Sequence, residues 1–264
     1  MIATDTIRTR PTIAELVSDV AVLTGRNLWR LRSNPAQVVG MVAFPVIFVS
    51  MFTYVFGGAI GGSTAAYLQF ALPGVLVQLT VMASQNTGQL LNEDVRKGVF
   101  DRFRSLPIGR SAPLIGQVLG SVIPNTTALM MTFAWGSVLG FRVHTDALHA
   151  LAALGVLLLF ALCLNWTSIF VGLAAKNAAA TQILEMAVMF PLTFVSNVFV
   201  PASTMPSWLA TFVNLSPVSS AATVLRALLL GGSMSDSALK LAVWCAALVL
   251  VFFPLSLVFY RRRS

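Results

Sequence analysis

Residues 148–175 read LHALAALGVLLLFALCLNWTSIFVGLAA, a run that contains no Asp, Glu, Lys or Arg. A helix needs about 20 predominantly apolar residues to cross the hydrocarbon core of a bilayer. A transmembrane β-strand would instead alternate apolar and polar residues over about ten positions. Because residues 151–160 show no such alternation, the run predicts a transmembrane α-helix.

Similar runs recur along the chain of 264 residues, of which 57% are hydrophobic and only 10% are charged. A soluble domain would carry about 25% charged residues. The sequence therefore predicts an all-α integral membrane protein, a single transmembrane domain over residues 1–264 with about six spans packed as a bundle over residues 38–260. The predicted spans are residues 38–56, 66–91, 113–141, 148–175, 182–200 and 239–260.

An amphipathic helix is predicted at residues 12–34, ahead of the first span. Apolar residues such as Leu16 and Val20 fall on one helical face, and charged residues fall mostly on the other. With Trp29 near its end, this helix would suit the cytosolic headgroup layer, and packing against the rest of the protein explains the pattern equally well. The first long apolar run begins only after Pro35, too late for a cleavable signal peptide.

The distribution of Lys and Arg predicts that both termini are cytosolic, because basic residues concentrate in cytosolic segments. The net charge of +8 then reflects topology. Nucleic-acid binding is disfavoured, since the basic residues flank spans and have few aromatic residues among them. On the cytosolic side this orientation places Arg8, Arg10, Arg26, Arg30, Arg32, Arg96, Lys97, Arg102, Arg104, Arg110, Lys176, Arg261, Arg262 and Arg263. It leaves Arg142, Arg226 and Lys240 on the other side.

The densest charged stretch is residues 93–110, EDVRKGVFDRFRSLPIGR, which lies between the second and third predicted spans. Asp101 and Arg102 offer opposite charges for docking into a groove, and Phe100 and Phe103 offer apolar anchors. Pro107 would end a short helix there. A solvated loop explains the basic residues but not the aromatic pair or the proline. The segment therefore predicts a helix that docks on a cytosolic partner.

Polar residues inside the predicted spans form two faces. Gln78, Gln85 and Gln89 share one face of the second span, and the fifth span carries another face with Met189, Thr193 and Asn197. One interpretation is a substrate path lined by these six residues. The other is helix packing through interhelical hydrogen bonds, and the sequence leaves both open.

Glu185 is the only acidic residue within a predicted span. It lies near the cytosolic end and close in sequence to Lys176, which favours snorkelling or an interfacial ion pair over a functional role. Enzyme motifs are missing: the sequence contains no HExxH and no GxSxG, and the glycines of residues 57–63 lack the Lys of a phosphate loop. Cys163 and Cys245 lie within spans and have no metal-ligand spacing.

Two segments resemble a known family. Residues 98–112 are similar to the segment between the second and third spans of type-2 ABC exporter permeases, in particular the daunorubicin-resistance permease branch. Residues 194–228 resemble the stretch that leads into the external re-entrant hairpin of that family. Pro206 and Pro217 divide this stretch into pieces too short to span, and we expect residues 201–238 to re-enter the outer leaflet.

The resemblance implies a permease subunit of an ATP-driven exporter in a bacterial inner membrane. Its partners would be two copies of an ATP-binding cassette ATPase, an identical or homologous second permease half, and membrane lipid. ATP and Mg²⁺ would bind to the ATPase, with no cofactor or metal on this chain and no catalysis by it. The exported molecule would be hydrophobic or amphipathic, either a drug or a lipid. Residues implied in coupling are Glu93, Arg96, Gly98, Phe100, Asp101, Arg102, Phe103, Arg104 and Pro107.

Two other classes remain open from the sequence. A self-contained secondary carrier would need no ATPase. A membrane scaffold would transport nothing.

Overall fold

The computed structural model describes Gly25, residues 35–99 and residues 112–262. The predicted amphipathic helix at residues 12–34 lies outside this part of the chain, except for Gly25. So do six of the predicted coupling residues: Phe100, Asp101, Arg102, Phe103, Arg104 and Pro107. The described residues form nine α-helices and no β-strand, which confirms the predicted all-α class.

The nine helices follow one another with short connections. The first five are α1 (Pro35–Gly61), α2 (Thr64–Arg96), α3 (Ala112–Gly120), α4 (Val122–Val138) and α5 (Ala147–Ala174). The other four are α6 (Ala178–Phe194), α7 (Ser207–Leu215), α8 (Pro217–Leu230) and α9 (Ser235–Arg262).

Five segments are long and apolar enough to cross a membrane: Ala43–Gly61, Thr64–Arg96, Leu114–Val138, Ala147–Ala174 and Ser235–Tyr260. They correspond to five of the predicted spans. Helices α7 and α8 meet at an angle of 77°, as a broken span or a re-entrant loop would. The remaining predicted span, residues 182–200, corresponds to α6, which has 17 residues. At 1.5 Å per residue α6 is only about 25 Å long, shorter than the roughly 30 Å hydrocarbon core.

Two predicted spans are interrupted. The third consists of α3 and α4, with a turn at Ser121 whose hydroxyl donates to the carbonyl oxygen of Val118 at 2.7 Å. The fifth leaves helical geometry after Phe194, where the hydroxyl of Ser196 bonds to the carbonyl of Thr193. Ser side chains that bond to nearby carbonyls compete with helical bonding, and the hydropathy pattern does not reveal this.

Helix α2 is the centre of the bundle, and its residues Leu68–Val81 contribute much of the buried core. It runs parallel to α5 and very close to it. A Cβ atom on Gly172 would lie 3.0 Å from the Cα of Gly88, and a Cβ on Gly88 would overlap Ser168. Small residues of this kind let two membrane helices approach until their backbones touch.

The parallel helices place basic residues at one end of the bundle. Helix α2 ends at Arg96, and α5 ends two residues before Lys176. Helix α9 follows α5 in the same direction, because Phe253 packs on Trp166 and Phe259 on Phe170. The opposite end carries the turn of residues 139–146, where Gln69 of α2 donates to the carbonyl oxygen of Gly140 at 3.2 Å.

Candidate functional site

A buried carboxylate joins three helices in the half of the bundle that carries the basic end. Glu185 of α6 is 2% exposed. Its carboxylate accepts a hydrogen bond from the hydroxyl of Ser168 on α5 and one from the amide of Gln89 on α2, the latter at 3.5 Å. The prediction that Glu185 snorkels to the interface is therefore wrong, because α6 turns this residue toward the α2–α5 crossing.

The hydroxyl of Ser168 lies at the centre of this junction. Its oxygen accepts a hydrogen bond from the backbone N–H of Gly88 at 2.9 Å, and its proton reaches Glu185. The backbone carbonyl oxygen of Gln85 lies 3.2 Å away. The missing side chain of Gly88 is what admits the Ser168 hydroxyl and the Glu185 carboxylate, since a Cβ there would come within 2.7 Å of the carboxylate.

Two further polar contacts follow the same crossing. The hydroxyl of Thr87 donates to the side-chain oxygen of Asn165 at 2.9 Å, and the amide of Asn165 donates to Ser121 at 2.9 Å. Nearer the basic end, the amide of Asn92 donates to the carbonyl oxygens of Gly172 and Ala175 at 2.8 and 3.1 Å. We call these contacts, together with the Glu185 junction, the polar seam; it links α2, α5, α6 and the break in the third span.

The start of the predicted coupling segment continues α2. Glu93 and Lys97 form an ion pair at 3.2 Å, and both side chains are in contact with solvent, so the pair contributes little stability. Arg96 is exposed. Gly98 has a φ of 67°, the left-handed conformation in which glycine commonly ends a helix. Gly98 thus lies in the turn that follows the end of α2 at Arg96, just before the residues that the sequence assigns to docking.

The three predicted path glutamines differ in their surroundings. Gln89 contacts α6 through Glu185, as above. The side-chain oxygen of Gln78 is buried and has no hydrogen-bond partner among the described residues. Gln85 is half-buried, and its backbone carbonyl lies near Ser168. The structure therefore brings one of the three to the fifth predicted span by a direct hydrogen bond.

The fifth-span members are more enclosed than a cavity lining would be. Thr193 is buried, and Met189 packs against the main hydrophobic core. The amide of Asn197 donates to the hydroxyl of Thr223 on α8 at 3.0 Å, and its backbone N–H donates to Ser219 at 3.1 Å. Asn197 thus ties the segment after α6 to α8.

An aromatic ladder, which the polar pattern did not reveal, runs along α1 and the outer part of α6. Phe48 and Phe52 on α1 have ring centroids 4.5 Å apart, and Phe52 packs on Phe199 at 4.6 Å. Phe190 and Phe194 pack at 4.2 Å. The ladder consists of Phe44, Phe48, Phe52, Phe56, Phe190, Phe194 and Phe199.

The ladder is open to the outside at several rings. Phe44, Phe56, Phe190 and Phe194 are all exposed, and the apolar residues beside them, such as Met51 and Met186, are exposed as well. The sequence signal was available: α1 carries Phe at every fourth position from residue 44 to residue 56, which places the rings on one helical face. Such a surface offers flat aromatic groups a place to stack.

Comparisons with known proteins agree with the resemblance drawn from the two segments. The family described as ABC-2 type transporter matches residues 18–230. The chain is 41% identical over 97% of its length, and 90% of the relative's, to the daunorubicin resistance ABC transporter permease protein DrrB1 of Streptomyces coeruleorubidus. It is 24% identical, over 94% of its length and 90% of the relative's, to the probable doxorubicin resistance ABC transporter permease protein DrrC of Mycobacterium tuberculosis. It is also 27% identical, over 78% of its length and 76% of the relative's, to the doxorubicin resistance ABC transporter permease protein DrrB of the same organism.

Proposed function

Because this chain belongs to the ABC-2 type transporter family and is a multi-pass permease subunit of an ABC transporter, we propose that it pairs with a second permease half, identical or homologous, to form the membrane pathway of a bacterial drug exporter. Two ATPase subunits dock on its cytosolic end and bind the ATP and Mg²⁺. The observation that carries this proposal is the 41% identity over 97% of the chain to a permease named for daunorubicin resistance. The membrane is the bacterial inner membrane, with both termini in the cytosol.

The ATPase docks on the segment from Glu93 to Pro107. Phe100 and Phe103 anchor it, and Asp101 and Arg102 supply the charges. A push on this segment reaches α2 directly, because α2 ends at Arg96 within the segment, and it reaches α3 through residue 112. The polar seam supports this proposal, because it links α2 to α5, to α6 and to the Ser121 turn. Packed helices joined by such bonds move as units.

The substrate is a largely hydrophobic, amphipathic molecule with a flat aromatic part. It contacts the aromatic ladder at the interface between the two permease halves, where the exposed apolar faces of α1 and α6 face the partner half. The relatives named for daunorubicin and doxorubicin resistance support an aromatic drug over a lipid. A highly charged substrate is disfavoured, because the ladder and its exposed neighbours are apolar.

Polar groups from the predicted path complement the ladder. Gln78 and Gln85 supply amides to substrate hydroxyls, and the unpartnered oxygen of Gln78 supports this role. Gln89, Met189, Thr193 and Asn197 form the wall behind the path, consistent with the burial or hydrogen bonding of each.

Co-purification and transport separate this function from its alternatives. We expect the permease to co-purify with an ATP-binding subunit from its native membrane, and the reconstituted complex to export an aromatic amphipathic dye only with ATP. An ATPase subunit that binds but does not hydrolyse ATP is the control. Export driven by an ion gradient without the ATPase would identify a secondary carrier. A complex whose ATPase no substrate stimulates would identify a scaffold.

Topology is tested by cysteine labelling in intact cells. A Cys at Ser105 should resist an impermeant thiol reagent, whereas a Cys at exposed Ser233, between α8 and α9, should react. Both native cysteines, Cys163 and Cys245, are buried, so the background is low. Labelling at position 105 would overturn the proposed orientation.

A further inference from the structure

An apolar groove lies away from the aromatic ladder. Residues of helices α2, α4, α5 and α8 line this groove, which has a volume of about 240 Å³. Its walls include Leu76, Met130, Phe133, Ala150, Leu154 and Leu225, and every side chain that lines it is apolar. None of the lining residues that the structure describes belongs to α1 or α6, so the groove is separate from the surface proposed for the substrate.

The groove opens on the membrane-facing surface of the protein. Met130 and Leu151 line it and are 53% and 65% exposed, respectively. Its α5 wall comes from the first residues of this span, Ala147 to Leu157, and therefore lies in the leaflet next to the 139–146 turn. At this depth the surrounding solvent is lipid hydrocarbon, since the hydrocarbon core is about 30 Å thick.

The chemistry of the walls decides which molecule fits. An empty space of this size costs packing energy, because the lining atoms lose their van der Waals partners. A ligand with hydroxyl or amino groups would lose hydrogen bonds to water and find none in an apolar wall. The space exceeds the roughly 150 Å³ of an apolar cavity that admits benzene. Seven leucines on the walls and a single aromatic residue, Phe133, suit a flexible hydrocarbon chain better than a planar ring system.

From these observations we propose that the groove is a binding site for one acyl chain of a membrane phospholipid. The chain enters past Met130 and Leu151 and packs against Leu225 and Leu229 of α8. It thereby holds α8 against α2 and α5 in the position that lets Arg226, next to Leu225, bind the segment after α6. The inference depends on the membrane location alone and holds for any transported substrate.

Photolabelling in nanodiscs tests the site directly. The full-length permease is placed in nanodiscs of phosphatidylglycerol and phosphatidylethanolamine that contain a phospholipid with a diazirine on its acyl chain. Mass spectrometry then maps the labelled residues. We expect label at residues 129–133 and 147–157 in excess of label on the exposed residues Val243 and Leu250 of α9, which report ordinary lipid contact.

A matched pair of variants shows whether the groove itself holds the lipid. Met130 and Met131 are neighbours on α4 and are 53% and 48% exposed, but only Met130 lines the groove. Met130→Trp should block the opening and lower groove labelling roughly tenfold, the effect of about 1.4 kcal/mol. Met131→Trp should leave the labelling unchanged. If Met130→Trp does not fold, Ala150→Leu is used instead, because it partly fills the groove and should also lower the labelling. Its control is Ala152→Leu, at an exposed position.

Three outcomes would overturn the proposal. Labelling equal to that of Val243 and Leu250 would mean ordinary lipid contact only. Labelling that neither Met130→Trp nor Ala150→Leu lowers would place the lipid elsewhere. Displacement of the label by a planar aromatic amphiphile would make the groove a substrate site.

Discussion

The guanidinium of Arg226 donates a hydrogen bond to the carbonyl oxygen of Asn197 at 2.8 Å. It also donates to the carbonyl oxygens of Val198 and Phe70, at 3.1 and 2.9 Å, and lies 3.9 Å from the centre of the Phe70 ring. Because α6 ends at Phe194, the carbonyls that follow it lack helical donors. Arg226 supplies those donors, so an arginine that the sequence only assigns to the non-cytosolic side stabilises the interruption of the fifth span.

Replacing Arg226 by Met should therefore destabilise the protein. The variant keeps the length of the side chain but removes the donor to the carbonyl oxygens of Asn197 and Val198, which follow the end of α6. We expect a loss of about 2 to 3 kcal/mol. The stability of Arg226→Lys should lie between those of Arg226→Met and the wild type, because a lysine ammonium cannot reproduce the planar set of donors of a guanidinium. Thermal unfolding in detergent measures the effect, with exposed Lys240→Met as the control. Equal midpoints for the Arg226 and Lys240 variants would contradict this role.

Glu185 should be sensitive to the loss of its hydrogen bonds more than to the loss of its charge. Glu185→Gln keeps an acceptor for Ser168, and the amide of Gln89 can turn over to match it, so stability should change by less than about 1 kcal/mol. Glu185→Leu removes both acceptors from a buried site and should cost about 2 kcal/mol. Unfolding midpoints of the two variants are compared. If the Gln variant were as unstable as the Leu variant, the buried charge itself would be required.

The crossing of α2 and α5 should not tolerate even a methyl group. Gly88→Ala and Gly172→Ala each place a Cβ against the backbone of the other helix, and overpacking of this kind costs about 1 to 3 kcal/mol. Gly155→Ala, on α5 but with no atom within 4 Å of the added Cβ, is the matched control and should be neutral or slightly stabilising. Unfolding in detergent and the yield of folded protein report the difference. A Gly88→Ala variant as stable as Gly155→Ala would mean that the crossing is looser than described.

The double variant Asp101→Ala, Arg102→Ala should insert into the membrane normally but bind the ATPase subunit more weakly. Neither residue lies in a predicted span, and removal of a central charge pair from an interface commonly costs about 2 kcal/mol, roughly thirtyfold in affinity. The amount of ATPase subunit that co-purifies with the permease measures the loss. Asp236→Ala with Lys240→Ala, an exposed acid and base at the opposite end, should bind the ATPase as the wild type does. Normal ATPase binding and export by the first variant would refute the docking role.

Replacing phenylalanines of the aromatic ladder by leucine should change which compounds are exported. Phe44→Leu and Phe190→Leu keep the apolar surface but remove about 0.5 to 1.5 kcal/mol of aromatic contact each, so export of planar aromatic compounds should fall several-fold while basal ATPase activity persists. Phe212→Leu changes an exposed ring on α7 and is the control. Export rates for one aromatic and one aliphatic amphiphile are compared. An unchanged ratio in both ladder variants would place the substrate path elsewhere.

Prediction from sequence worked where a property depends on the residues of one segment. Five of the predicted spans match helices long enough to cross a membrane, because hydrocarbon solvent demands an apolar helix whatever its neighbours are. It failed where the property depends on rotation about a helix axis. Glu185 was expected to snorkel or to form an ion pair near the cytosolic end, yet it is buried against Ser168 and Gln89 at the α2–α5 crossing. The apolar sequence of α6 does not mark which of its faces packs inward.

The sequence by itself determined that this chain is a helical membrane protein and, through residues 98–112 and 194–228, which family it resembles. Both conclusions rest on local hydropathy and on contiguous motifs. Only the tertiary structure decided that Ser168 lies between Gly88 and Glu185, that Arg226 bonds to carbonyls after α6, and that Phe199 joins the rings of α1. These partners are separated by many residues along the chain, and only the packing of complete helices, with glycines at their closest approach, brings them within hydrogen-bonding or ring-contact distance.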